Sequence, residues 1–160
     1  MTEKNNTIDL TPAAQLASYI DRLAPKHQKC FRSVRAALRK RFPSANELLY
    51  DYGKFFVISY SPSDHGIEGI FAVAARDTGV FLYFNQGQQL PDPQKILLGS
   101  GKQTRFIQVD AASRLSDPDV EAFIGATLDQ AKIPYPSEGK GVLIVKSDAS
   151  TKRSRRPAKA

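Results

Sequence analysis

The sequence predicts a two-layer α+β domain in which an antiparallel sheet of four to five strands is packed by two N-terminal helices and one C-terminal helix. Two observations carry this prediction. Apolar residues recur at helical spacing before Pro43 and again after Asp117, and the stretch between them alternates like short strands joined by tight turns. Neighbouring strands joined by short turns pair antiparallel. Helices flanking such a sheet bury one of its faces.

The first helix is predicted to begin at Thr11-Pro12, because threonine caps free backbone N–H groups and proline fits the first helical turn. A second helix follows from Pro25 to about Phe42 and ends before Pro43. Its apolar face is formed by His27, Cys30, Phe31, Val34, Leu38 and Phe42. Its cations are predicted on the opposite, solvated side.

Four strands are predicted in the middle of the chain, because Val, Ile, Phe and Tyr are enriched there between turn residues. They span residues 46–52, 55–60, 70–75 and 80–84. The clusters at 61–66 and 77–79 supply the turns, and glycine provides positive φ in the second of them. Short connections of this kind favour hairpins.

The last third of the chain is predicted to be less regular. Residues 85–103 form a loop region, Thr104–Val109 a fifth strand, and Gly141–Val145 a short edge strand. A final helix runs from Asp117-Pro118 to about Lys132. Its inward residues are Val120, Phe123, Ile124 and Leu128.

Composition and charge place limits on the class of protein. The chain has 160 residues, of which 23 are Lys or Arg and 16 are Asp or Glu, so its formal net charge is +7. Hydrophobic residues make up 41%, and this fraction excludes a wholly disordered chain. Ile70–Ala75 is the longest apolar run, far short of a membrane span. Met1–Leu10 is polar, so we expect no secretory signal. The single cysteine, Cys30, suits a reducing compartment. A cytoplasmic location is therefore expected.

Three parts of the chain are distinguished by composition. Residues 1–10 are predicted to be a flexible arm, residues 11–146 a single domain, and residues 147–160 a disordered basic tail. The tail carries five cations against Asp148. The other basic segment, Lys26–Arg41, holds seven cations and no acid. Local fields of this kind attract phosphates or other anions.

The exposed cations of the second helix are the first candidate site. They are Lys29, Arg32, Arg35 and Arg39, named here the helix face. Together with the tail they suggest contacts with nucleic acid phosphates. No base-reading motif or tryptophan accompanies them, and the aromatic residues occupy alternating strand or core positions. A solvated helix face with a solubilising tail is the alternative.

The second candidate site is a glycine loop that could bind an anion. Gly99 and Gly101 would let backbone N–H groups approach the anion, and Lys102 and Arg105 would neutralise it. The spacing differs from that of a P-loop, because Ile96 replaces the required glycine and Gln103 follows Lys102. The alternative is a tight connection whose glycines allow a sharp bend.

The sequence gives only weak indications of a metal site or a catalytic site. His27 and Cys30 share a helix face, but a structural zinc site needs four ligands, and the alternative is a half-buried histidine beside a buried thiol. No catalytic residues are predicted, since the nucleophile-elbow pattern is absent from the sequence. Helix capping explains Asp117 and Asp119. Asp51, between two tyrosines, is a candidate buried acid.

Several short motifs resemble the YdhG-like domain family, a family of unknown function. They are Pro43, Glu47, Tyr52-Gly53, Phe84, Gly87, Leu90-Pro91-Asp92-Pro93, Leu98-Gly99-Ser100-Gly101-Lys102 and Arg105-Phe106-Ile107. The resemblance covers about Ala24–Ala131 and implies a compact α+β fold similar to frataxin. Some members are regarded as intracellular iron chaperones, so iron is the cofactor or cargo that the resemblance implies. The family has no agreed catalytic residues.

The sequence therefore predicts a small non-enzymatic binding protein of the YdhG-like type, with iron chaperone activity as the family-based expectation. The alternative is a module that binds an anion or nucleic acid through the helix face and the basic tail. Oligomeric state and ligand identity do not follow from the residues.

Overall fold

A computed structural model describes residues 11–147 and shows an α+β fold with three α-helices and one six-stranded mixed sheet. The helices are α1 (Pro12–Ile20), α2 (Pro25–Arg41) and α3 (Pro118–Gln130). The strands are β1 (Asn46–Asp51), β2 (Phe56–Ser61), β3 (Phe71–Arg76), β4 (Gly79–Phe84), β5 (Arg105–Gln108) and β6 (Leu143–Ser147). Short 3-10 turns occupy Gly66–Glu68, Gly87–Gln89 and Ala112–Ser116. The predicted arm and all of the predicted tail beyond Ser147 lie outside the described residues.

Each helix begins with proline in its first turn, as the sequence predicts. The Thr11 hydroxyl oxygen accepts a hydrogen bond from the Ala14 N–H at 3.2 Å and so caps α1. The helix α2 buries Phe31, Val34 and Leu38 at the predicted spacing. Across residues 11–147, no helix is long and apolar enough to cross a membrane.

The sheet runs in the order β5-β4-β3-β2-β1-β6. Strands β1 to β5 pair antiparallel in succession, with Leu49 opposite Ile58 and Val73 opposite Leu82. The edge strand β6 instead lies parallel to β1, with Leu48 opposite Ile144. Consecutive hairpins therefore build five strands, and the end of the chain adds the sixth.

The sequence predicts four to five antiparallel strands, but the sheet has six strands and the sixth is parallel to its neighbour. The predicted strand count and the all-antiparallel pairing are therefore corrected. The chain reaches the edge of β1 through Gly141, whose N–H donates to the Pro43 carbonyl at 2.8 Å. A Cβ at Gly141 would overlap the Ala45 carbonyl, so only glycine permits this approach. The N–H of Glu47 then donates to the Val142 carbonyl at 2.9 Å and starts the parallel pairing.

The helix arrangement also differs from a simple layer of three helices across the sheet. The helix α2 crosses β3 and β4, whereas α1 lies beside the edge strand β6. The helix α3 packs through Phe123 on Phe84, their ring centroids 5.8 Å apart. Leu128 was expected to face inward but is 37% exposed. Thr127 is buried instead, because its position continues the stripe of Val120.

The two faces of the sheet have different neighbours. The face toward the helices supplies Leu49, Ile58, Val73 and Leu82 to a core shared with the three helices. Side chains alternate along a strand, so the intervening residues point to the opposite side. We call that side the open face, although Leu48, Ser59, Ala72 and Ala74 on it are buried. Its strand positions run from Ile144 across Leu48, Ser59, Ala72 and Tyr83 to Phe106.

Candidate functional site

The structure divides the helix face. Lys29 and Arg32 are exposed, and Arg32 donates a long hydrogen bond of 3.5 Å to Gln28. Arg35 is half-buried and makes two hydrogen bonds to Glu47, at 2.8 and 2.9 Å. Arg39 is exposed and places its Nε 3.7 Å from a Glu47 oxygen. Glu47 therefore neutralises part of the positive charge predicted for this surface.

Glu47 is the centre of a buried polar cluster. It is 4% exposed and also accepts a hydrogen bond from the fully buried Tyr60 hydroxyl at 2.8 Å. Burial and the nearby carboxylate raise the pKa of Tyr60 well above its ordinary value. Burial alone would lower the pKa of Arg35, but its hydrogen bonds and attraction to Glu47 outweigh that effect and raise it. All three groups find partners, which is typical of a structural cluster.

The glycine loop is closed by a short bridge between Leu98 and Phe106, whose backbones exchange two hydrogen bonds of 2.8 and 3.0 Å. Gly99 has a φ of 111°, a backbone conformation that favours glycine. Arg105 donates to the carbonyls of Gly101 and Thr104 at 2.6 and 2.9 Å. Gly99, Gly101, Lys102 and Arg105 therefore all lie in this closed loop. The Arg105 guanidinium binds the loop's own carbonyls, whereas Lys102 is exposed.

The potential metal ligands are not gathered. The Cys30 thiol lies 3.3 Å from the Val109 carbonyl, within hydrogen-bond range. Burial, with a contribution from Asp110, raises the pKa of that thiol. Among residues 11–147, no group of three or more His, Cys, Asp or Glu side chains is close enough to hold a metal ion. Iron handling stays a prediction of the family resemblance alone.

The candidate acids are engaged in ion pairs. Asp51 is buried and receives two hydrogen bonds from Arg22, both at 3.0 Å. Arg114 contacts Asp117 at 2.7 Å and Asp119 at 2.9 Å. The pKa of Asp119 is lowered by this hydrogen bond from Arg114. The Arg22 pair joins the end of α1 to β1, whereas the Arg114 pairs are local and hold the 3-10 turn against the start of α3.

The open face carries two aromatic clusters that flank small side chains. On one side Tyr52 stacks on Phe55 at 5.0 Å and on Tyr50 at 6.4 Å between ring centroids. On the other side Tyr83 stacks on Phe106 at 4.9 Å, and Phe81 meets Phe106 edge-on at 5.8 Å. The small residues between the clusters are Val57, Ser59, Ala72 and Ala74. All six rings are partly exposed.

Arg76 joins the two clusters. Its guanidinium lies over the Phe55 ring at 3.9 Å, and its Nη2 donates to the Tyr83 hydroxyl at 3.3 Å. On the described strands, the outward positions carry Arg76 and Lys146 as their charged residues and no carboxylate. We call the six rings and Arg76 the aromatic band.

The sequence interpretation missed the aromatic band. Alternation placed Tyr50 with Tyr52, but Leu48 and Leu49 are both apolar, so alternation did not show which side the helices cover. The usable signal was the spacing of large rings two residues apart in two predicted strands, at Tyr50 and Tyr52 and at Phe81 and Tyr83. Each such pair lies on one face of its strand.

The chain matches no protein-family model, and no curated protein or solved structure is found to be similar to it.

Proposed function

We propose that the protein is a non-enzymatic binding module that holds single-stranded nucleic acid across the open face of its sheet. The observation that carries this proposal is the aromatic band, six partly exposed rings linked by Arg76. Rings of this kind form stacking platforms for bases, and because every base has a π-face, the stacking tolerates any sequence.

The charge of the open face supports a polyanion as partner. At the outward positions of the described strands the charged residues are Arg76 and Lys146, and none is a carboxylate. The strand β6 ends at Ser147, and the sequence beyond it contributes five further cations. Phosphate neutralisation by such cations supplies most of the affinity in non-specific binding. The rings that would stack on bases and two cations that would contact phosphates thus lie on the same side of the sheet. The other five cations belong to the sequence that follows β6.

The resemblance to the YdhG-like family supports a binding role, because that family has no agreed catalytic residues. The helix face is the competing surface for the same ligand, through Lys29 and Arg32. The pairing of Arg35 with Glu47 makes it the weaker of the two surfaces.

Fluorescence anisotropy with a labelled oligo-deoxythymidine of about ten nucleotides tests the proposal, a length typical of such sites. We expect saturable binding at low salt, with an affinity that falls steeply as salt rises. The variant Phe106→Leu keeps an apolar side chain but loses the stacking surface. It should bind about tenfold more weakly, since one stacked base contributes about 1–3 kcal/mol.

The matched control is Lys29→Ala with Arg32→Ala on the helix face, which removes two cations on the opposite side of the domain. This variant should retain most of the affinity. The proposal fails if the oligonucleotide does not bind at low salt, or if the helix-face variant loses binding while Phe106→Leu retains it. Circular dichroism of both variants verifies that each remains folded.

A further inference from the structure

A cavity of about 530 Å³ lies at the end of the sheet, and the turn that forms one of its walls also packs against Tyr50 of the aromatic band. Its walls come from the turn before β3, from the segment that follows β4, and from the end of α3. The volume falls in the range of small-molecule sites, which is about 300–1,000 Å³. Three other cavities formed by the described residues have volumes of about 340, 360 and 190 Å³.

Five carboxamide side chains line this cavity. They are Asn85, Gln86, Gln89, Gln103 and Gln130. Asn85 donates to the Gly69 carbonyl at 2.6 Å and so fixes one wall. Gln130 donates a long hydrogen bond of 3.5 Å to the Gln89 carbonyl. Carboxamides offer a donor and an acceptor side by side, so a set of them selects a ligand with the same kind of edge.

One buried acceptor has no partner. The Oε1 atom of Gln130 is buried and, within the described part of the chain, makes no hydrogen bond. Leaving such an atom unpaired is costly, and native structures usually satisfy it. Because this oxygen is buried, a ligand N–H in the cavity reaches it only when the Gln130 side chain turns outward and gives up its long 3.5 Å bond to the Gln89 carbonyl, and that contact would remove the cost.

The remaining lining favours a flat, uncharged ligand. Ile67 is 94% exposed, and Ile133 is also exposed, so apolar surface lies open at the cavity. Glu68 and Lys132 contribute one charge of each sign. Aliphatic groups cover the faces of a planar ring, while carboxamides pair with its edge.

We infer that this cavity is a second binding site that takes a neutral nucleobase or nucleoside. The carboxamides bind the donor and acceptor edge of the base, with an N–H donated to Gln130, and the isoleucines cover its faces. The lining of this site shares no residue with the aromatic band, so the site does not rest on the function proposed for that band.

The test is an NMR titration that follows the side-chain NH₂ signals of asparagine and glutamine in the full-length protein. The probes are adenosine, cytidine, guanosine and uridine, one at a time. We expect at least one of them to shift the signals of Gln103 and Gln130 and to saturate. The variant Gln130→Met should bind that nucleoside at least tenfold more weakly.

Stability separates loss of binding from loss of folding. Because Gln130→Met removes an unpartnered buried acceptor, its melting temperature should equal or exceed that of the wild type. The control is Gln88→Met, a glutamine in the same 3-10 turn as Gln89 that does not line the cavity, and it should bind as the wild type does.

The inference is overturned if none of the four nucleosides shifts the cavity amides at millimolar concentration, or if Gln130→Met binds undiminished. It is also overturned if the nucleoside shifts only the rings of Tyr83 and Phe106, since that result would assign the ligand to the open face.

Discussion

Replacing Glu47 by glutamine removes the charge at the centre of the buried polar cluster while keeping the shape of the side chain. In the folded protein this carboxylate receives two hydrogen bonds from Arg35 and one from Tyr60. The amide of Glu47→Gln offers a single acceptor oxygen and adds two donors where donors are already in excess. With its oxygen in the place of Oε2, the amide can still accept from the Arg35 Nε and the Tyr60 hydroxyl, but its NH₂ group then faces the Arg35 Nη2, donor against donor.

The size of the loss follows from burial. Removing one partner of a fully buried ion pair costs about 3–5 kcal/mol, because the other charge stays behind unpaired. The Arg35 side chain is 22% exposed, so water recovers part of its solvation. We expect Glu47→Gln to lower the free energy of unfolding by about 2–4 kcal/mol.

Urea unfolding followed by circular dichroism measures this loss, with an unchanged m-value confirming that the variant unfolds in the same way. The control is Glu121→Gln, which breaks a similar two-bond contact with Arg41 at the solvent-exposed surface. Exposed pairs contribute little, so this control should lose far less stability. The reasoning is refuted if the two variants lose equal stability.

Two further predictions concern the backbone and the tyrosines. Gly87→Ala should destabilise the domain by about 1–3 kcal/mol in thermal unfolding, because the new Cβ would overlap the backbone of the first residue of β5. The control Gly101→Ala should be tolerated, because the space around Gly101 is open. Burial raises the pKa of Tyr60 and Tyr135, so both should stay protonated in the folded state, and stability should decline as pH rises above about 10, the ordinary tyrosine pKa. Tyrosinate absorbance during an alkaline titration checks this; ionisation of all six tyrosines before unfolding would contradict it.

The helices and hairpins could be predicted because their signals are local. Proline begins each helix, and turn residues separate strands that pair with their sequence neighbours. The parallel strand β6 could not be predicted as a partner of β1, because that pairing joins Glu47 to Leu143 across nearly the whole domain. No local pattern records which distant edge a short strand will join.

The candidate sites were harder to predict for two physical reasons. Helical spacing placed Arg35 on the solvated side, but a long guanidinium side chain reaches around the helix, and its partner Glu47 comes from a strand. The strands β1 and β3 carry apolar residues on both of their faces, as at Leu48 and Leu49. The alternation of side chains therefore could not show which face of the sheet the helices cover. The aromatic band is identified by the packing of the helices, which shows that its rings lie on the opposite side of the sheet from the core.

The location of bound nucleic acid tests the central claim most directly. An NMR titration of the isotope-labelled protein with unlabelled oligo-deoxythymidine follows the ring signals of Phe81, Tyr83 and Phe106 beside the backbone signals of Lys29 and Arg32. The account predicts that the ring signals shift and saturate while the helix-face signals stay in place. Shifts confined to the helix face, or an absence of shifts at low salt, would contradict it.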